Sequence, residues 1–145
     1  MIQVSFQILR PGAKPPERKT DGAAAYDLSA CLTDNLLLKK GEVTFVPTGL
    51  ALAIPQGFEG QVRPRSGFST KNRIIMPNAP GTIDSDYRGE ILVPLLNLGV
   101  DDFVLEPETR IAQILIKRYE VVHFNQADSL PPTSRGEGGF GSTGK

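Results

Sequence analysis

The sequence predicts an all-β fold, and three observations carry that reading. Fifteen glycines and twelve prolines stand among 145 residues, well above the ~12% expected from average usage, and they are spread along the chain, so turns punctuate it throughout. Ile2, Val4, Phe6 and Ile8 alternate with Gln3, Ser5 and Gln7, and Leu50, Leu52 and Ile54 with Ala51 and Ala53, the period of two that belongs to a strand. Residues 91–96 are apolar at successive positions, and 111–116 are similar apart from Gln113, as strands lying between two layers are. Many short strands with frequent turns predict a sandwich or barrel. Pro94 has no N–H for a ladder, which implies an edge or a bulge at that point. One short helix is expected over residues 66–73, with Ser66 as its cap and Gly67 leaving room for close backbone approach.

A chain of 145 residues fits one domain. The expected division is a β-domain over residues 1–130 and a glycine-rich C-terminal arm over 131–145, whose composition cannot bury much apolar surface. Lys plus Arg and Asp plus Glu both number 16. That balance lacks the basic excess of a nucleic-acid binder, so no nucleic-acid partner is expected. No apolar run approaches the ~18 residues of a membrane span, and the N-terminus has no basic segment leading into an apolar one, so neither a membrane anchor nor a signal peptide is expected. The single cysteine, Cys31, cannot form an intrachain disulfide; it reads as a small buried hydrophobe in a reducing, cytoplasmic setting. The single histidine, His123, reads as an incidental strand residue. Without further His or Cys clusters there is no zinc-deaminase signature, and no nucleophile elbow supports a Ser-His-Asp hydrolase.

Three segments could carry chemistry. The tail Arg135-Gly136-Glu137-Gly138-Gly139-Phe140-Gly141-Ser142-Thr143-Gly144 supplies backbone N–H groups able to form an anion-binding nest, with Ser142, Thr143 and Arg135 as further donors and Phe140 as a stacking surface. A flexible linker has the same composition. The tail also imitates most of a Walker A loop, but it lacks the Ser/Thr and the following helix that such a loop needs. Arg65-Ser66-Gly67 at a helix start presents N–H groups to an anion, although an ordinary capped helix looks alike. Residues 81–90 place Asp84, Asp86, Glu90 and Tyr87 between turn residues. A carboxylate there suits deprotonation of a water, and a charged hairpin tip is the plain alternative.

Together these segments resemble the trimeric dUTP pyrophosphatase (dUTPase) family, whose five motifs appear in order. Residues 24–30 resemble the first, 64–69 the second, 78–91 the third, 110–114 the fourth and 135–144 the last. Departures are small: Phe68 stands where a smaller aliphatic residue is common, and Asp86 is a variable position. The resemblance implies a jelly-roll-like, distorted β-barrel with one short helix, assembled as a homotrimer with sites shared between subunits and closed by a neighbour's arm. It implies Mg²⁺-dependent attack of water on the α-phosphate of dUTP, giving dUMP and pyrophosphate. Asp84 would direct the water, Tyr87 would pack under the deoxyribose, and Asn78 would read the uracil edge. Arg65, Ser66, Gly67 and Gln113 would bind phosphates, and Asp27 would hold waters on the metal. Arg135, Phe140, Gly141, Ser142 and Thr143 would form the lid. Two rivals remain at this point. One is a dCTP deaminase of the same fold, although that group usually shows Arg-Ser-Ser where this chain has Arg65-Ser66-Gly67. The other is a nucleotide-sensing binding protein.

Overall fold

A computed structural model describes residues 2–139. Among them are eleven strands and one short helix. The elements run β1 (Ser5–Ile8), β2 (Tyr26–Ser29), β3 (Leu36–Leu38), β4 (Val43–Pro47), β5 (Leu50–Ala53), β6 (Phe58–Pro64), α1 (Ser66–Asn72), β7 (Ile74–Ile75), β8 (Gly81–Ile83), β9 (Leu92–Asn97), β10 (Phe103–Leu105) and β11 (Arg110–Arg118). They form four antiparallel sheets, ordered β2-β11-β6-β8, β4-β9-β7, β1-β5 and β10-β3. All four wrap one core in which Leu28, Leu38, Val46, Leu50, Ile91, Val93, Leu105 and Ile111 are fully buried. The wall is broken into short sheets around a single interior, as expected of a distorted barrel. No helix among the described residues is long and apolar enough to cross a membrane.

The runs that are apolar on both faces become β9 and β11, with strand partners on each side. Pro94 pairs with Phe45 in unbroken register, so there is no bulge. Its other flank has no strand partner, because β7 reaches only Leu96 and Asn97. The missing N–H is thus accommodated at a locally open edge. Two buried polar side chains tie the sheets together. Asn97 donates to the carbonyls of Leu38 and Asp101, and the Thr48 hydroxyl donates to that of Ile91. No buried side-chain polar atom among the described residues lacks a partner.

Five expectations need correction. Ser66 is the first helical residue, not the cap; Arg65 is the N-cap, with extended backbone and no side-chain capping bond. The helix ends at Asn72, because Arg73 adopts a left-handed conformation with φ 55°, which stops helical hydrogen bonding. The alternation of residues 2–8 forms a strand only over Ser5–Ile8, and that strand does not bury a face. β1 pairs with β5, but nothing among the described residues covers Phe6 and Ile8, which are about half exposed. His123 is not in a strand: β11 stops at Arg118, and residues 119–124 continue irregularly with Val121 and Phe124 almost fully exposed. Cys31 is half-buried rather than buried, with its thiol 3.6 Å from the Pro11 carbonyl.

Candidate active site

The four-stranded sheet gathers the first, second and fourth motif-like segments at one end. Gln113 on β11 stands opposite Asp27 of β2 on one side and Arg63 of β6 on the other. Its side-chain amide donates to the Pro64 carbonyl at 2.9 Å, which fixes the point where β6 turns into α1. The helix is anchored by Phe68, which is buried and meets Phe103 edge to face with centroids 6.1 Å apart. The larger aromatic at this position therefore serves the core. Ser66 and Gly67 stay exposed on the outer side. A Cβ at Gly67 would meet nothing of this chain within 4 Å, so the helix start faces outward, as an anion-binding turn must.

Asp27 organises this end. One carboxylate oxygen accepts from Arg65 Nε at 2.8 Å and the other from Arg110 Nη1 at 2.8 Å. Arg65 also donates through Nη1 to the Arg110 carbonyl. One carboxylate between two guanidiniums leaves net positive charge, and Arg65 Nη2 has no partner among the described residues. The cluster thus presents spare, fork-shaped donors of the kind that suit phosphate oxygens. Arg110 was not singled out from sequence for any role; its place in the fourth motif-like segment was the available signal.

The third segment builds a separate cavity. β8 ends in a turn closed by the Tyr87 N–H to the Asp84 carbonyl and braced by Arg88, which donates to the carbonyls of Ser85 and Tyr87. Asn78, Asp84 and Tyr87 line one cavity of about 230 Å³ together with Phe45, Ile91 and Pro94. Gly81 sits where a Cβ would come within 3.1 Å of the Asn78 amide nitrogen, so a larger residue there would displace that side chain. Gly89 lies against the Tyr87 ring, whose hydroxyl donates to the Glu90 carbonyl at 3.0 Å. A floor of backbone, an aromatic wall, an amide and an exposed carboxylate make a pocket suited to a flat polar ring and its sugar. Its volume is below the ~300–1,000 Å³ of complete ligand sites, so it accommodates only part of a nucleotide.

The chain does not bring the two groups together. Ile83 pairs with Gly60 on β6, which places Asp84 beside Glu59, six residues along from Arg65. At ~3.3 Å per residue, the two are about 20 Å apart along the strand. In the arm, Arg135 is exposed and donates to the Gly138 carbonyl within a local turn. Phe140, Gly141, Ser142 and Thr143 lie outside the described residues.

A model of the dUTPase family matches residues 12–144. The deoxyuridine 5'-triphosphate nucleotidohydrolase of Leptospira interrogans is 53% identical over 99% of this chain and 99% of its own length. That of Rickettsia bellii is 53% identical over 90% and 87%. Among solved structures, the dUTPase of Staphylococcus bacteriophage 80alpha with dUpNHpp is similar in fold, with a TM-score of 0.89 at 24% identity over 99% of both chains. The dUTPase of phage phi11 of S. aureus reaches 0.80 at 20% identity, over 88% of this chain and 97% of its own. With this fold, and with more than half its residues shared end to end with curated relatives, the chain belongs to the dUTPase family.

Proposed function

We infer that this protein hydrolyses dUTP to dUMP and pyrophosphate, by attack of a water that Asp84 directs at the α-phosphate. The observation that carries the residue assignment is the convergence of Asn78, Asp84 and Tyr87 on one cavity; the relatives' activity supplies the reaction. In this reading Tyr87 packs against the deoxyribose and leaves no room for a 2′-hydroxyl. Asn78 reads the uracil edge, whose N3–H and C4 carbonyl are reversed in polarity in cytosine; each buried mismatch costs ~1–3 kcal/mol. Arg65, the Ser66–Gly67 turn and Gln113 take the phosphates.

The separation of Asp84 from Arg65 supports a pocket shared between copies: one chain supplies the nucleoside cavity and another the phosphate end. A homotrimer satisfies this, because a cyclic assembly places the same two surfaces together at every interface. The arm over residues 131–145 closes the pocket, with Arg135, Phe140, Gly141, Ser142 and Thr143 as its contacts.

The phage phi11 dUTPase coordinates a structural Mg(II) ion. Here no group of three His, Cys, Asp or Glu among the described residues could ligate a metal directly. Asp27 uses one acceptor site on each oxygen, and a carboxylate offers about four. It therefore fits a Mg²⁺ ion that the triphosphate chelates and the protein meets through water. When bound, the ion supplies neutralisation of phosphate charge.

The test is pyrophosphate release from dUTP, dCTP, dTTP and UTP, with and without EDTA. Turnover of dUTP alone, abolished by EDTA, is expected. Ammonia release from dCTP would point to the deaminase chemistry of the same fold, and nucleotide binding without pyrophosphate release to a sensor.

A further inference from the structure

Arg10 lies outside every motif-like segment and outside the cavity, yet it reaches the cavity's frame. It forks onto the Glu90 carboxylate, with Nε to Oε1 at 2.8 Å and Nη2 to Oε2 at 2.8 Å. The same Oε1 accepts from the Gly49 backbone N–H at 2.8 Å. The Glu90 side chain is largely buried, at 15% exposure. Next to it, the Ile91 N–H donates to the Leu50 carbonyl and the Ile91 carbonyl accepts from Thr48. Residues 90–91 are thus held from both sides of the backbone and through the Glu90 side chain.

What this clamp holds is the acceptor for Tyr87. The Tyr87 hydroxyl donates to the Glu90 carbonyl, and the ring rests on Gly89, where a Cβ would fall within 2.6 Å of Tyr87 Cζ. A shift of the Gly89–Glu90 backbone would carry the ring with it and reshape the cavity that Tyr87 and Glu90 both line.

We propose that Arg10 is a positioning residue for the nucleoside cavity: by forking onto Glu90 it fixes the backbone that holds Tyr87, and so sets discrimination between deoxyribose and ribose. The proposal rests on the reading that Tyr87 packs against the sugar. Arg10 does not itself line the cavity and reaches it only through Glu90, so its effect falls on selectivity and KM rather than on the chemical step.

The experiment compares Arg10→Met, Arg10→Lys and Tyr87→Ala with the unaltered protein, measuring kcat and KM for dUTP and UTP well below each melting temperature. For Arg10→Met, the dUTP-to-UTP ratio of kcat/KM is expected to fall roughly threefold to tenfold, with KM for dUTP rising more than kcat falls. Arg10→Lys restores a charge without the fork and is expected to recover part of the ratio. An unchanged ratio in Arg10→Met, whatever its melting temperature, makes Arg10 a structural staple and overturns the proposal. If Tyr87→Ala also leaves the ratio unchanged, it is the sugar-packing reading that fails; if Tyr87→Ala collapses it while Arg10→Met does not, only the clamp fails.

Discussion

At the scale of single residues, the proposed roles divide by how far the surroundings leave a side chain free to act. Asp84 is exposed and accepts no side-chain hydrogen bond among the described residues, whereas Asp27 is held by two arginines. The first suits a base that must receive a proton, the second an anchor. Asp84→Asn is expected to lower kcat by roughly 10²–10⁴ with little change in nucleotide affinity; single-turnover kinetics and calorimetric titration check this. Gly89→Ala is expected to push the Tyr87 ring off its seat and to raise KM for dUTP, read from steady-state kinetics beside UTP. Asp84 and Tyr87 stood out in the sequence because they share one short segment, and Asn78 entered through the resemblance; all three line one cavity. The partnership of Arg10 with Glu90 was not, because the two are 80 positions apart and only the pairing of β1 with β5 brings them close. Ser66 misled for a related reason: a serine at a helix start reads as a cap, but the backbone leaves β6 in an extended conformation through Arg65, so the cap falls one residue earlier.

At the scale of elements, the long strands β9 and β11 were readable because burial on both faces leaves a nearly continuous apolar run, interrupted in β11 by Gln113. The short strands β3, β7 and β10, of two or three residues, carry no usable periodicity; their partners define them. The reverse failure occurs at residues 119–124, which have strand-like composition but no strand among the described residues to pair with. The helix α1 depends on Phe68, and Phe68→Ala is expected to destabilise the fold by about 3–5 kcal/mol, measurable by denaturant unfolding. The link from β1 to the turn before β9 is electrostatic. The hydrogen bond from Arg10, then that from Gly49, holds the Glu90 carboxyl below the usual carboxylate range despite partial burial. A carboxyl lowered in the folded state stabilises it above the ordinary value, and that contribution is lost as pH falls through the lowered one. The melting-temperature gap between the unaltered protein and Arg10→Met is therefore expected to be constant near neutrality and to close on acidification below the carboxylate range.

At the scale of the whole molecule, the proposed function turns on the distance between the proposed nucleoside cavity and the arginine cluster. Chains carrying Asp84→Asn and chains carrying Arg65→Ala are each expected to be inactive alone and to regain turnover when unfolded, mixed and refolded together; persistent inactivity of the mixture would place both groups in one chain's own site. Truncation before Arg135 is expected to abolish turnover while leaving assembly mass and melting nearly unchanged, as light scattering and calorimetry would record. The fold class and order of motifs were visible in the sequence, and a site shared between subunits was implied by the resemblance; the separation of about 20 Å between Asp84 and Arg65 was not, since it follows from strand register. The proposed partition bears on inheritance. In a cell making intact chains together with chains defective in both halves, a pocket works only when each contributor is sound, so output falls as the square of the intact fraction, and such an allele would act with partial dominance.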